Sequence, residues 1–198
     1  MADSPPAPPL VLASRSPQRR AILEQLEIPF EIVLPLYEEE EPSSSDPVEV
    51  VRDHARAKAR SVAAVTADQP VLGVDTEVVL DGQVFGKPAD ASEAEQMLER
   101  LSGKTHVVIS GLCLRTPAWE VVEHEATRVA FRELTPRDLA GYVASGEWEG
   151  RAGAYAIQGR GVSLVSRIEG DYLNVVGLPG ALLVRLLAER FAGVYGFG

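Results

Sequence analysis

Cysteine is nearly absent from this chain, with Cys113 as the single example in 198 residues. One cysteine excludes a disulfide within the chain and fits a reducing compartment, so we expect a cytoplasmic protein. Because Cys113 lies in the apolar run at residues 109–114, we interpret it as a buried hydrophobic side chain and not as a nucleophile.

Long apolar runs and positive charge are scarce as well. No apolar stretch approaches the roughly 20 residues that a membrane-spanning helix needs, so we expect no membrane association. Acidic residues outnumber basic ones by 29 to 19, which gives a formal net charge of −10. A nucleic-acid-binding surface would be basic, so we expect no nucleic-acid partner. Any anionic substrate has to be held by a local cluster of Arg, Lys or metal.

Several familiar site signatures are missing from the sequence. The three histidines, at positions 54, 106 and 124, lack the spacing of a zinc site. The chain contains no GxGxxG followed by a distant acid, no GxxxxGKS or GxxxxGKT, and no GxSxG. Dinucleotide-binding Rossmann, P-loop and α/β-hydrolase interpretations are therefore poorly supported.

Proline is concentrated at the start of the chain, where four of the fourteen prolines fall within nine residues. We expect residues 1–9 to form a disordered leader, which lacks the basic and apolar regions of a signal peptide. The whole chain is 45% hydrophobic and 24% charged, a globular composition. Residues 10–198 are therefore expected to form one domain.

Residues 71–88, VLGVDTEVVLDGQVFGKP, predict a β-hairpin around which the other segments are arranged. Asp81 and Gly82 give a strong turn signal, since glycine accepts the positive φ that such a turn needs. Asp75 lies within an apolar run, where a carboxylate is costly unless it is paired, hydrogen-bonded or bound to a metal. The hairpin should bring Asp75 and Lys87 towards the same end. They form either a catalytic acid and base or a buried structural ion pair.

A second candidate site lies where the first predicted strand meets the first predicted helix. Ser16 is a good N-cap and Pro17 a good first helical residue. Free N–H groups and the helix dipole favour an anion at this point, and Arg15, Arg19 and Arg20 crowd the junction. The functional interpretation is a phosphate site, and the alternative is an ordinary capped helix with solvated arginines.

Apolar periodicity predicts a mixture of strands and helices along the chain. Strands are predicted at residues 10–13, 30–36, 71–80, 84–85, 107–114, 121–131 and 162–165. Helices are predicted from residue 16 onwards and at residues 46–64, 90–101, 135–144 and 179–191. This alternation is typical of an α/β protein.

Three further polar features each have two interpretations. The glutamates at 38–41 are either a solvated loop or, at a strand end near a phosphate site, ligands for a divalent cation. Lys58 lies among small residues of the second helix and is either a snorkelling surface lysine or part of the site. Gln158 lies between glycine-rich segments. Its amide can either read a nucleobase edge or satisfy the backbone.

Taken together, four blocks of the sequence resemble the Maf-type nucleotide pyrophosphatases, also called septum-formation proteins. The blocks are LASRSPQRRAIL (12–23), VLGVDTEVVLDGQVFGKP (71–88), LERLSGKTHVVISG (98–111), and RAGAYAIQGRG (151–161) with GDYLNVVGLP (170–179). They occur in the family's order, and the resemblance covers residues 10 to about 187.

The resemblance implies an α/β fold and a reaction. The fold is a single two-lobed domain with a long twisted mixed sheet, flanked by helices and divided by a central cleft. In the reaction, water attacks the α-phosphorus of a nucleoside triphosphate and gives the monophosphate and pyrophosphate, with Mg²⁺ or Mn²⁺. The AGAYAIQG segment resembles the dTTP/UTP-preferring branch. The family also implies a homodimer and a link to arrested cell division.

The resemblance also supports the candidate site residues. It implies that Asp75 is the general base or a metal ligand and that Glu39 binds the metal. Arg19, Lys87 and Gln158 complete the expected catalytic set. The expected substrate-binding residues, from the residues themselves and from the resemblance, are Ser14, Arg15, Arg19, Arg20, Lys58, Lys87 and Gln158.

Three positions depart from the family pattern. Gln18 stands where the family usually has an arginine, and Arg15 or Arg20 are the candidates to supply the missing charge. Gln18 also favours the alternative function, a non-catalytic nucleotide-binding regulator of septum formation. Arg151 replaces a lysine and keeps its charge but not its geometry. Ala156 replaces a glycine, which could narrow that loop.

Overall fold

A computed structural model of the protein describes residues 7–38, 44–62 and 69–198. The strands are β1 (Leu10–Ala13), β2 (Phe30–Ile32), β3 (Val71–Leu80), β4 (Gln83–Phe85), β5 (Thr105–Arg115), β6 (Glu120–Phe131) and β7 (Val165–Glu169). The helices are α1 (Pro17–Gln25), α2 (Pro47–Arg60), α3 (Ala91–Leu101), α4 (Pro136–Val143), α5 (Tyr172–Val176) and α6 (Gly180–Phe191). None of these helices is both long and apolar enough to span a bilayer.

The strands form one mixed sheet in the order β2-β1-β3-β5-β6-β7, with β4 paired to β3. Strand β1 runs parallel to β2 and β3, and the pairs beyond β3 are antiparallel. Strands β3, β5 and β6 are the longest of these strands, with 10, 11 and 12 residues. The expected single α/β domain with a mixed sheet is confirmed.

The long strands carry two hydrophobic clusters, one at each end. Leu72 and Val74, in the first half of β3, pack in a cluster with buried residues of α1 and α6. Val78 and Leu80, in the second half, pack in a cluster with buried residues of α3 and α4. We call these the first and second lobes. The cleft lies between them, where β3 passes from one cluster to the other. The expected two-lobed domain with a central cleft is therefore confirmed.

Helix α2 covers the opposite face of the sheet at unusually short range. A Cβ added to Gly73 would lie 2.2 Å from the carbonyl oxygen of Ala55, and one added to Gly111 would lie 2.1 Å from that of Val51. The backbone of α2 therefore rests directly on β3 and β5. Only glycine permits this approach, and it fixes the side chains of α2 relative to the cleft.

The central hairpin forms as predicted. Val78 pairs with Phe85, and the connection consists of Asp81 and Gly82, with φ values of 51° and 77°. Two consecutive positive φ values are the geometry that suits a two-residue hairpin between twisted strands.

Two predicted strands are wrong, the first in its length and the second in its start and its type of structure. The strand expected at residues 30–36 ends at Ile32. Its last paired residue is Ile32, opposite Leu12 of β1, and β1 itself ends one residue later, so it offers no partner for a longer strand. The strand expected at 162–165 is a 3-10 helix at Gly159–Leu164, and β7 begins only at Val165. In the second case the chain first turns back on itself, because Gly161 lies against the carbonyl oxygen of Ala156.

The leader expected at residues 1–9 lies partly outside the described residues, which begin at Ala7. Ala7 packs against the cluster of the first lobe. The hydroxyl of Tyr195 donates a hydrogen bond of 2.8 Å to the carbonyl oxygen of Pro8. Residues 7 and 8 are therefore held against the domain.

We predict that Gly111→Ala destabilises the protein by about 3 kcal/mol, because its methyl group would overlap the α2 backbone. The matched control is Gly141→Ala in α4, where an added Cβ meets no atom of the described residues within 4 Å. That change should stabilise the helix by up to about 1 kcal/mol. Urea unfolding of both variants measures the difference. Equal stability would contradict the close helix–sheet approach.

Candidate active site

A cleft of about 760 Å³ between the two lobes brings most of the candidate residues together. Its lining includes Ser14, Arg15, Arg19, Lys58, Asp75, Lys87 and Gln158. Arg20 is exposed outside the lining, and its guanidinium forms an ion pair of 2.8 Å with Glu24. Glu39, the expected metal ligand, lies outside the described residues.

Asp75 is the most buried carboxylate of the cleft, with 7% of its surface exposed. Its Oδ1 lies 2.5 Å from Nζ of Lys58, and its Oδ2 lies 3.5 Å from Nδ1 of His54. Lys58 is itself 9% exposed, so the interpretation as a snorkelling surface lysine is wrong. Asp75 does belong to a buried ion pair, but its partner is Lys58 and not Lys87.

The charge on Asp75 is stabilised by these neighbours. Burial alone would raise the pKa of its carboxyl group. The interaction with His54 and the positive charge of Lys58 outweigh burial and hold that pKa well below its usual range. Asp75 is therefore an anion at neutral pH, although it is nearly enclosed.

The helix–sheet contact explains why this pair forms. His54 and Lys58 are four residues apart in α2 and so share one face of the helix. Asp75 pairs with Gly111 across the β3–β5 ladder. Because Gly73 and Gly111 let the helix backbone approach the sheet, a lysine of α2 can reach a strand carboxylate that solvent barely reaches.

The turn between β1 and α1 fixes Arg19 at the other side of the cleft. The hydroxyl of Ser16 accepts a hydrogen bond of 3.4 Å from the Arg19 amide, which is the predicted N-cap. The Arg19 guanidinium donates to the Ser14 hydroxyl at 3.3 Å, to the Thr76 hydroxyl at 3.3 Å and to the Gly177 carbonyl at 2.9 Å. Arg19 thus bridges three segments and keeps a fixed orientation.

Two other cations are held less firmly. Arg15 and Lys87 are exposed at the cleft, and neither forms an ion pair with another residue that the structure describes. Lys87 follows β4, so the hairpin does place it in the same cleft as Asp75. Both side chains are therefore available to an anionic ligand.

Gln158 is exposed and follows the buried residue Ile157. It precedes the 3-10 helix without capping it, and its side chain makes no hydrogen bond within the described ranges. The interpretation as an amide satisfied by the backbone is therefore wrong. Its donor and acceptor both remain free for a ligand.

A protein-family model described as "Maf-like protein" matches residues 9–190. The chain belongs to the Maf-like family. Three similar relatives are each named dTTP/UTP pyrophosphatase. That of Nitratidesulfovibrio vulgaris is 50% identical over 94% of this chain and 90% of its own length. The relative from Deinococcus radiodurans is 45% identical over 97% of both chains. The relative from Symbiobacterium thermophilum is 46% identical over 91% of this chain and 93% of its own length.

Several polar residues of this Maf-like cleft escaped the sequence analysis. Thr76 and Glu77 line it, and His54 contacts Asp75. Arg151, noted only as a departure from the family pattern, lines it as well. The signals were present in part. Glu77 lies two residues after Asp75, so both point to the same face of a strand, and His54 has helical spacing to Lys58. Neither pattern is specific without knowledge of which strand faces which helix.

The carboxylates of the cleft suit a divalent cation such as Mg²⁺ that is bound partly by the protein and partly by the ligand. Asp75 and Glu77 lie on the same face of β3 and both line the cleft. Within residues 7–38, 44–62 and 69–198, no group of three or more His, Cys, Asp or Glu could hold a metal. Mg²⁺ is commonly bound by one or two carboxylates together with substrate phosphates, whereas a structural zinc site needs four protein ligands.

We predict that Lys58→Met destabilises the protein by about 3–5 kcal/mol at pH 7, because it leaves the Asp75 carboxylate buried without its cation. In the wild type the pKa of Asp75 is depressed, so the pair's contribution is complete above about pH 4 and falls only under more acidic conditions. In the variant the compensation by Lys58 is lost, so burial raises the pKa of Asp75 relative to the wild type, and the stability deficit should shrink as the pH falls towards 5. Urea unfolding at both pH values measures this.

The matched control is the double variant Lys58→Met with Asp75→Asn, which removes the buried charge. It should be more stable than Lys58→Met alone at pH 7. A deficit in Lys58→Met that does not change with pH would contradict an origin in the Asp75 charge.

Proposed function

We propose that this protein hydrolyses the α–β phosphoanhydride of nucleoside triphosphates, with dTTP and UTP as the preferred substrates. The observation that carries the proposal is the buried, ionised Asp75 in a cleft lined by several cations. The names of the curated relatives support the substrate class. The exposed amide of Gln158, which bonds to none of the residues that the structure describes, supplies a group that can read a base.

Cations of the cleft offset the charge of a triphosphate. Those that line it are Arg15, Arg19, Lys58, Lys87 and Arg151. Their local positive potential allows a protein of net charge −10 to bind a tetra-anion. Phosphoryl transfer depends mainly on alignment and charge neutralisation, which such a set provides.

Asp75 acts on the attacking water. Its carboxylate accepts a hydrogen bond from the water and takes a proton as the water oxygen bonds to the α-phosphorus. The bond between the α-phosphorus and the α–β bridging oxygen breaks, and pyrophosphate leaves with that electron pair. Lys87 and Arg19 neutralise the charge that builds up on the phosphate oxygens. The products are the nucleoside monophosphate and pyrophosphate, with one proton released.

Lys58 couples substrate binding to the basicity of Asp75. In the free protein His54 and the Lys58 ammonium, which lies 2.5 Å from the carboxylate, lower the pKa of Asp75, so Asp75 is a weak base. A bound phosphate competes for the same ammonium group. As Lys58 turns towards phosphate, its hold on Asp75 weakens, the pKa of the carboxyl group rises, and the base becomes stronger when substrate is present.

A divalent cation is part of the proposal. When bound, Mg²⁺ or Mn²⁺ supplies charge neutralisation to the phosphates. Asp75 and Glu77 are the described residues that would hold it, and Glu39 remains a predicted ligand from the family resemblance. Gln18 lines the cleft where the family usually has an arginine, which is the feature that favours a nucleotide-binding regulator over an enzyme.

We also propose that the protein forms a homodimer. Strand β2 lies at the edge of the sheet, and exposed apolar side chains alternate along and beyond it. Ile32 is 45% exposed, Leu34 54% and Leu36 87%. Such a stripe beside an open strand edge is typical of an association surface.

We predict metal-dependent pyrophosphate release from a panel of dTTP, UTP, CTP, 7-methyl-GTP and ITP, with dTTP and UTP fastest. Asp75→Asn should lower turnover at least about 100-fold, because an amide cannot take the proton. A coupled pyrophosphate assay measures both, with EDTA as the control for the metal. Nucleotide binding without release by the wild type would favour the regulator, and full activity of Asp75→Asn would remove that residue from the mechanism.

We predict that Lys87→Ala raises the KM for dTTP about tenfold or more, because one charge-assisted contact to phosphate is lost. Lys87 is exposed, so the fold should be unaffected, and the unfolding temperature checks this. The matched control is Lys104→Ala, an exposed lysine that does not line the cleft. Unchanged kinetics for Lys87→Ala would leave the residue without a role in substrate binding.

A further inference from the structure

The loop that carries Gln158 is held at two points, one on each side of this residue. On the N-terminal side, the amide of Ala156 donates a hydrogen bond of 3.0 Å to the hydroxyl of Tyr142. On the C-terminal side, the carboxylate of Glu147 accepts from the amide of Arg160 at 3.0 and 2.9 Å and from that of Gly161 at 3.2 Å. Gln158 itself lies at the exposed apex between them.

Glu147 acts as an N-terminal cap supplied from outside the 3-10 helix. The first amides of a helix have no partner within it, and a carboxylate is a favourable acceptor for them. Gln158 occupies the N-cap position but makes no capping hydrogen bond. Because Glu147 satisfies these amides, the side chain of Gln158 is released from local bonding and can face the cleft.

Two glycines make this arrangement possible. Gly159 has a φ of 64°, and a Cβ there would lie 2.7 Å from Oε1 of Glu147. Gly161 lies so close to the Ala156 carbonyl oxygen that a Cβ would meet it at 1.8 Å. The chain therefore folds back tightly around Gln158, and the carboxylate of Glu147 fills the space beside the turn.

The two holding groups share a rigid base in the second lobe. Tyr142 is 3% exposed and belongs to α4. The Ser145 hydroxyl donates to the Tyr142 carbonyl at 2.6 Å and accepts from the Glu147 amide at 3.3 Å. The indole of Trp148 donates to the Val143 carbonyl at 2.9 Å. The position of Glu147 thus follows from that of α4.

We propose that Glu147 is a positioning residue for base recognition, which fixes the backbone of residues 158–161 so that the Gln158 amide faces the nucleobase. This rests on the proposed function, in which Gln158 reads the base. Glu147 touches neither base nor phosphate in this scheme. Its loss should therefore weaken nucleotide binding only through Gln158 and leave the phosphate subsite intact.

The test is a double-mutant cycle on binding of a non-hydrolysable substrate analogue. Glu147→Ala should raise the Kd of α,β-imido-dUTP, measured by calorimetry with Mg²⁺, about tenfold, while the Kd of pyrophosphate stays within about twofold. In a Gln158→Ala background, the same change at Glu147 should have almost no further effect. Glu147→Gln, which keeps an acceptor oxygen, should give a smaller loss than Glu147→Ala.

Turnover and amide exchange separate the possible failures. With dTTP, KM should rise more than kcat falls, and the backbone amides of Arg160 and Gly161 should exchange faster in both Glu147 variants. An exposed glutamate of α3 gives a matched control, Glu95→Ala, which should change none of these values. The unfolding temperature shows whether Glu147→Ala impairs folding. If it does, the double-mutant cycle is measured with Glu147→Gln in its place.

Additive losses at Glu147 and Gln158, or an equal loss of pyrophosphate binding, would overturn the positioning role. A wild-type protein that neither binds the analogue nor hydrolyses dTTP would overturn the proposed function. In that event amide exchange still tests the role of Glu147 in holding the loop. If the Arg160 and Gly161 amides exchange as slowly in Glu147→Ala as in the wild type, Glu147 does not hold the loop.

Discussion

The ion pair between Lys58 and Asp75 is the interaction on which the cleft depends. Two opposite charges are placed where water barely reaches them, so each is tolerable only while the other is present. This requires α2 to lie against β3 and β5 at a distance that only Gly73 and Gly111 allow. Helix–sheet packing, the burial of Asp75 and its low pKa are thus consequences of one constraint.

The long strands explain why one domain has two lobes and one cleft. Strand β3 contributes Leu72 and Val74 to the first lobe and Val78 to the second, and Asp75 lies between these apolar positions. The polar residues of the cleft differ in how firmly they are held. Arg19 has bonds to three segments, whereas Lys87 and Gln158 are exposed. The fixed groups form the base of the site and the exposed ones are left to meet the ligand.

Local signals allowed much of this arrangement to be predicted from the sequence. The Asp81–Gly82 turn and the Ser16 cap depend on neighbouring residues, so both were predicted correctly. The partner of Asp75 was not, because Lys58 lies on a helix whose distance from the sheet is a tertiary property. The edge strand β2 was predicted too long for the same reason, since its end is set by β1 and not by its own alternation.

A catalytic base with a depressed pKa would be a poor base if the free protein were its working state. The same cation that makes burial of Asp75 tolerable also weakens it as a proton acceptor. In the proposed mechanism a triphosphate resolves this conflict, because it offers Lys58 a second anion at the moment when a base is needed. The stability of the buried charge without substrate and its basicity with substrate then both depend on Lys58. In this proposed mechanism the cleft becomes reactive only when its ligand is bound, so hydrolysis is restricted to molecules that carry enough negative charge to draw Lys58 away from Asp75.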